Sequence, residues 1–396
     1  MVSLSLKNAL LNHVVRYPTP YTLNYNWSYG SLSGIFYAIQ ILTGLVLASH
    51  YISYELLVFE NLEHIMRDVE FGWLFRYLHL NGASFFFIAL YLHLFRGIFY
   101  KSYIKPRQFL WFSGVIILLI SILTAFIGYV LPWGQMSFWG ATVITNLVTA
   151  IPYIGNKIVL WLWGNFTVSG VTLTRFFNFH YLMAIILGIL IFIHLILLHE
   201  VGSSSPIGFS PIHNEKIKFL SYFYLKDLYI LICFLFLFFI FVFYFPNLLG
   251  HHYNYIRANP LVTPTHIVPE WYFLPFYAIL RSFDNKLIGV IAMVLSIFSL
   301  FLLPIIESRT LVKSMWLLST FEKLSFYFFM FIILALWWVG SLPAVEPYII
   351  FGKIFTFFYF LYFLLVYMNT TYNNFIFRKY HAFIGMVQNS NKKSYK

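Results

Sequence analysis

Eight stretches of about twenty apolar residues divide this 396-residue chain, and a run of that length is what a helix needs to cross a hydrocarbon core of about 30 Å. They fall at 31–50, 74–100, 109–131, 173–199, 226–246, 287–306, 319–339 and 347–368. In lipid every backbone N–H and C=O must find its partner within the protein, so such runs fold as helices. Composition agrees: hydrophobic residues make up 61%, charged residues 10%, and mean hydropathy is +0.79, outside the range of a soluble domain. The expected fold is an all-α membrane protein with eight transmembrane helices. Residues 1–205 are read as an N-terminal four-helix bundle, 206–372 as a smaller C-terminal part with four more helices, and 373–396 as a solvated basic tail. The first run lacks the charged start and small-residue cleavage site of a signal peptide, and is expected to remain in the mature protein.

The second and fourth runs carry paired histidines, His79 with His93 and His180 with His194, fourteen residues apart each time. Fourteen residues turn a helix by about 1400°, roughly 40° short of four turns, and climb about 21 Å. Each pair therefore shares one helical face at two depths. With the two segments as antiparallel neighbours, His79 is expected to meet His180 and His93 to meet His194. Gly30 and Gly44 in the first run, and Gly114 and Gly128 in the third, repeat the same spacing. A residue without a Cβ lets a flat ligand come close. A lone histidine on an apolar face reads most simply as structural, but two imidazoles and two glycines at each of two levels suit two stacked haems. They would be non-covalent b haems: Cys233 is the only cysteine, so there is neither a Cys-x-x-Cys-His attachment nor an iron–sulfur ligand set. Arg76, Arg96 and Arg175, close to the histidines in sequence, are the expected partners of haem propionates.

Charge orients the bundle. Assigning loops and span ends alternately puts seventeen of the 25 Lys and Arg on the side of the termini, with five of the 13 acids. By the positive-inside rule both termini face the cytoplasm-equivalent compartment, the matrix in a mitochondrion. The formal charge of +12 is spread around membrane edges, where topology accounts for it better than nucleic-acid binding does. On this orientation Gly44, His79, Gly128 and His180 form an outer level, and Gly30, His93, Gly114 and His194 an inner one.

About forty residues separate the fifth and sixth runs, and loops of that length are usually functional. They include His266 and Pro269-Glu270-Trp271-Tyr272, then Tyr277. A carboxylate among prolines and aromatics beside an apolar site can take a proton from a bound hydroxyl. Pro132 to Gly140, after the third run, reaches the same side as a second wall. Each stretch alone also suits an interfacial aromatic belt.

At these residues the chain resembles the mitochondrial cytochrome b family, the haem subunits of ubiquinol–cytochrome c reductase. The matching runs are Arg67-Asp68-Val69 with Gly72 to His79, Gly134 to Leu147, Thr172 to His180, His194 to Gly202, and Pro269 to Tyr272. The resemblance implies that His79 and His180 bind the low-potential haem, and His93 and His194 the high-potential one. It implies an outer quinol-oxidation site with Phe126, Gly140, Glu270 and Tyr277, and an inner quinone-reduction site with His199, Ser203, Lys226 and Asp227. From the residues alone, His199 and Asp227 at a membrane edge can hold a quinone's two carbonyls and relay protons. The implied substrates are ubiquinol and ubiquinone. The implied partners are a Rieske-type iron–sulfur subunit, a c-type cytochrome, accessory subunits of complex III and a second copy of the complex. The implied setting is the mitochondrial inner membrane, with a bacterial plasma membrane as the alternative.

The family pattern fails at Gly250 to Tyr255, where relatives carry Asp-Pro-Asp after Leu-Leu-Gly; His251 and His252, adjacent in a loop, are expected to point apart as surface residues. A plastid relative would have a second histidine pair one residue wider and a separate back half, unlike this continuous chain. A transporter using buried histidines as proton relays is the rival from another class.

Overall fold

The computed structural model of the chain describes residues 11, 15–207, 216–307 and 320–394. Among these, eight helices are long and apolar enough to span a membrane: Tyr25–His50, Gly72–Phe99, Gln108–Val130, Gly170–Val201, Tyr222–Tyr244, Lys286–Ile306, Thr320–Ser341 and Tyr348–Phe375. Each sits on an expected run. In chain order the elements are β1 (Pro18–Pro20), α1 (Tyr29–His50), α2 (Val58–Arg67), α3 (Gly72–Phe99), α4 (Gln108–Val130), α5 (Gln135–Asn146), α6 (Gly155–Trp163) and α7 (Gly170–Val201). They continue with β2 (Lys216–Lys218), α8 (Phe219–Tyr244), α9 (Leu274–Arg281), α10 (Lys286–Phe298), α11 (Leu302–Ile306), α12 (Thr320–Ser341) and α13 (Tyr348–Ser394).

Local chemistry sets the boundaries. The Ser169 amide donates to Thr172 Oγ1 at 3.0 Å at the start of α7, and Asn285 accepts the Leu287 and Ile288 amides at the start of α10. The sixth span is two helices, because α10 ends in a 3-10 turn at Ser299–Phe301 before α11 resumes. Pro304 has no N–H to give the carbonyl four residues back, that of Leu300. That carbonyl accepts the Trp111 indole N–H at 2.8 Å instead, which ties the break to α4. The 373–396 stretch continues α13 as far as Ser394; the side chains of Arg378, Lys392 and Lys393, and all of Lys396, lie outside the described residues.

The N-terminal bundle consists of two tight pairs, α1 against α3 and α4 against α7, while α9, α12 and α13 pack together as a second unit. α3 is the most buried span, α7 and α8 the least. α3 and α7 are not antiparallel neighbours as expected from sequence. They run parallel and face each other across a gap, because one span lies between them in the chain and two crossings restore direction.

The loops sort to two ends. At the end of the N-terminus, β1 pairs antiparallel with β2, and Arg107 donates to the Gly202 and Ser203 carbonyls at 2.7 and 3.1 Å. At the opposite end Arg257 pairs with Glu60 at 2.7 Å, Gly134 bridges Arg257, and Asn254 Oδ1 accepts from the Ser137 amide at 2.8 Å. The two long loops expected to share a side therefore do so. The His251 and His252 rings do not point apart: they stack at 4.6 Å, since His252 opens a 3-10 turn, in which successive side chains are not on opposite faces.

Candidate functional site

The four histidines meet in two facing pairs. The His79 and His180 ring centroids are 6.2 Å apart, those of His93 and His194 6.3 Å, with the rings near perpendicular at 82° and 69°. The outer pair lines a cavity of about 410 Å³ with Gly44, Gly128, Arg76 and Glu270; the inner pair lines one of about 290 Å³ with Gly30, Gly114, Arg96, Ser203, Lys226 and Asp227.

Each glycine lies against the histidine of its own level. A Cβ on Gly128 would sit 2.4 Å from His180 Cε1, on Gly30 2.9 Å from His93, on Gly44 3.1 Å from His79 and on Gly114 3.3 Å from His194. The expected clearance thus belongs to the imidazole rings. Their Nδ1 atoms are held from outside the gap. Thr43 Oγ1 donates to the Ile39 carbonyl at 2.6 Å and so accepts from His79 Nδ1 at 2.9 Å. Ser113 Oγ donates to the Leu110 carbonyl and accepts from His194 Nδ1, both at 2.8 Å, and His180 Nδ1 donates to the Thr124 carbonyl at 2.9 Å. Fixing the proton on Nδ1 leaves the Nε2 lone pair free to ligate.

Glu270 is held at the outer cavity by neighbours that are themselves fixed. Trp271 Nε1 donates to Ser84 Oγ at 3.0 Å, the Trp271 carbonyl accepts from Trp337 Nε1 at 2.6 Å, and Tyr272 stacks on Phe87 at 4.1 Å. Burial pushes the Glu270 carboxyl up to about 8, with the Tyr129 hydroxyl pulling the other way. A carboxyl so placed can exchange a proton near neutral pH.

Sequence profiles of two families match: cytochrome b/b6/petB over residues 14–202, and the cytochrome b C-terminal/b6/petD family over residues 257–360. The chain is 52% identical to cytochrome b of Chondrus crispus over 355 residues, covering 90% of this chain and 92% of that one. It is 54% identical to cytochrome b of Phytophthora megasperma over 344 residues, covering 87% and 89%. The chain belongs to the cytochrome b family. Its fold is similar to that of a chain from a hyperthermophilic respiratory complex III, with a TM-score of 0.88, 33% identity and coverage of 93% of this chain and 97% of that one.

The residues fit the haem of a cytochrome b. With a metal–imidazole bond of about 2 Å on each side, an iron between two facing rings puts their centroids about 6 Å apart, as found here. Buried polar atoms without partners lie on both cavity walls, Gln40 Nε2 and Ser121 Oγ on the outer, Trp27 Nε1 and Arg96 Nε on the inner. An unpartnered buried group costs about 1–3 kcal/mol, so these walls are made for a ligand with polar edges. Arg76 and Arg96, three residues from His79 and His93, fall on the ligand face. Arg175 does not: five residues before His180, it is turned about 140° around α7 and donates to the Trp161 carbonyl on α6.

Among the other expected residues, Phe126, Gly140, Tyr277 and His199 lie outside both linings. Phe126 packs on Phe176, Gly140 has open space where a Cβ would stand, and Tyr277 donates to the Ile267 carbonyl at 3.3 Å. His199 stacks on Tyr17 at 4.7 Å. Sequence reasoning missed Thr43, Ser113 and Thr124. A hydroxyl-bearing residue next to Gly44 and Gly114 was the available signal for Thr43 and Ser113; Thr124 acts through its backbone carbonyl, which no side chain announces.

Proposed function

We propose that this chain is the di-haem subunit of a ubiquinol–cytochrome c reductase, respiratory complex III, oxidising ubiquinol at the outer cavity and reducing ubiquinone at the inner one. The observation that carries the reading is the two facing imidazole pairs, in which His79, His180 and His194 hold their proton on Nδ1 and leave Nε2 free. His79 and His180 hold the iron of one b haem, His93 and His194 that of the other, without a covalent link. When bound, the two haems supply a one-electron path between the cavities. Arg76 and Arg96 neutralise propionates. Arg96 Nη2 now donates to His93 Nδ1 at 3.0 Å. With His93 holding the haem iron through Nε2, its Nδ1 would carry a proton and no longer accept from Arg96, and the guanidinium would be available to a propionate.

Oxidising a quinol frees protons as well as electrons. Glu270 takes a proton from the quinol hydroxyl, with Phe126, Gly140 and Tyr277 bordering the quinol beyond the cavity wall. On the inner side Asp227, Lys226, Ser203 and His199 bind the quinone oxygens and supply protons. Lys226, whose amine donates to the Leu23 carbonyl at 2.7 Å, fixes one edge of that cavity. Proton release outside and uptake inside store energy across the membrane. Electrons leave to a Rieske-type iron–sulfur subunit and a c-type cytochrome, within a dimeric complex that includes accessory subunits. The assigned membrane is the mitochondrial inner membrane, with both termini in the matrix. The test is a reduced-minus-oxidised spectrum of the purified protein before and after acid–acetone extraction. Two b-type signals removed completely by extraction are expected; no b-type band, or haem retained on the polypeptide, overturns the assignment.

A further inference from the structure

A buried ion cluster joins the two halves of the chain beside the inner cavity. Lys101 pairs with Glu307, which follows α11, and with Glu322 of α12 at 3.3 Å. Tyr103 donates to the other Glu307 oxygen, and Thr370 of α13 donates to Glu307 Oε1 at 3.2 Å. All five side chains belong to buried residues. Removing ions from water costs more than a simple helix tie requires. Ser102, between the two residues that reach the cluster, turns the other way: its hydroxyl meets that of Ser204 at 2.9 Å, and both line the inner cavity. Ser203 and Arg107 line it too, held to each other by the Arg107 hydrogen bond to the Ser203 carbonyl. Trp111, also in the lining, packs its ring 5.1 Å from that of Tyr103.

We propose that Glu307 is a positioning residue for the inner cavity: by fixing Lys101 and Tyr103 it sets Ser102 against Ser204 and so holds the wall that binds the quinone. The C-terminal half thereby sets the geometry of a site whose lining comes mostly from the N-terminal half. The inference rests on the inner cavity being the quinone-reducing site.

The experiment uses the intact complex with the outer site blocked by an outer-site inhibitor, so that decylubiquinol reduces haem only through the inner cavity. Glu307→Gln keeps shape but loses the charge for Lys101. The expected result is a roughly tenfold rise in the decylubiquinol concentration giving half-maximal haem reduction, with both haem bands retained. Amide exchange should rise in the 202–205 segment and stay unchanged at 134–140. Ser102→Ala should give a smaller rise, and the double variant should fall short of the product of the two, since both act through one contact. Lys101→Arg should retain near wild-type behaviour. Additive effects, or equal loosening of both segments, would make the cluster a stability element only and overturn the proposal. If Asp227→Asn in the otherwise natural protein leaves inner-cavity reduction unchanged, the site reading fails instead.

Discussion

At His180 the nearest neighbour that matters is an atom that is not there: Gly128 gives the imidazole the space a Cβ would take at 2.4 Å, whereas Gly114 leaves 3.3 Å beside His194. A clash of the first size forces the ring to move, and the second asks for a few tenths of an ångström. Gly128→Ala should therefore abolish or severely weaken the outer haem signal while the inner persists, and Gly114→Ala should retain both; equal loss in the two variants would contradict the depth assignment. Glu270 is the other residue whose physics decides an outcome. Its folded pKa of about 8 lies above the ordinary 4.5, so the group favours the folded state below the lower value, and that contribution is lost as pH rises through about 8. The same protonation blocks proton acceptance, so quinol oxidation should increase with pH through that range. Glu270→Gln should remove this limb and slow turnover by about 10- to 100-fold, below the usual general-base effect of about 100- to 10,000-fold because water or His266 can substitute. Unchanged turnover and pH profile, with haem and inhibitor binding intact, would take Glu270 out of the proton path.

At the scale of elements, what could be read in the sequence follows from period and length. The eight spans were legible because bilayer thickness fixes how long an apolar run must be, and the histidine levels because a fourteen-residue step nearly closes four turns. The same arithmetic separates Arg76 and Arg96 from Arg175, but only once the facing side of each helix is known. Relative direction follows from counting crossings, since spans two apart must be parallel, and the antiparallel expectation for α3 and α7 failed on that count. Packing was not: that α1 backs α3, and α4 backs α7, depends on helix rotations set by side chains far apart in sequence, and so do the Thr43, Ser113 and Thr124 contacts. The start of α5 read as part of a loop wall because the helix is short and preceded by Pro132 and Gly134. Arg175 gives a test of helical phase. Arg175→Ala should loosen α6 against α7, seen as faster amide exchange at 155–163, and leave both haem bands unchanged. Loss of the outer haem would return Arg175 to the propionate role.

At the scale of the whole molecule, the charge count and the contacts between loops agree on how the chain is threaded. The cationic loops at 100–107 and 216–218 lie with the N-terminal strand, tied by Arg107 and by the β1–β2 pairing, while Glu60, Arg257 and the Lys353–Asp284 pair at 3.5 Å lie at the other end. A short loop with several cations close to the span ends is costly to carry across a membrane, and insertion leaves it on the side of synthesis. With Cys233 replaced by alanine, single cysteines at Lys105 and Lys218 should react with a membrane-impermeant maleimide from the matrix side only. Cysteines at Lys157 and Lys353 should react from the opposite side only. Sealed vesicles of both orientations distinguish the two faces, and retained haem absorbance shows that each variant is folded. A single position labelling with the wrong group would mean that a span between it and its neighbours fails to cross, and would undo the assignment of outer and inner cavities. Reversal of all four together would preserve the threading and place both termini outside.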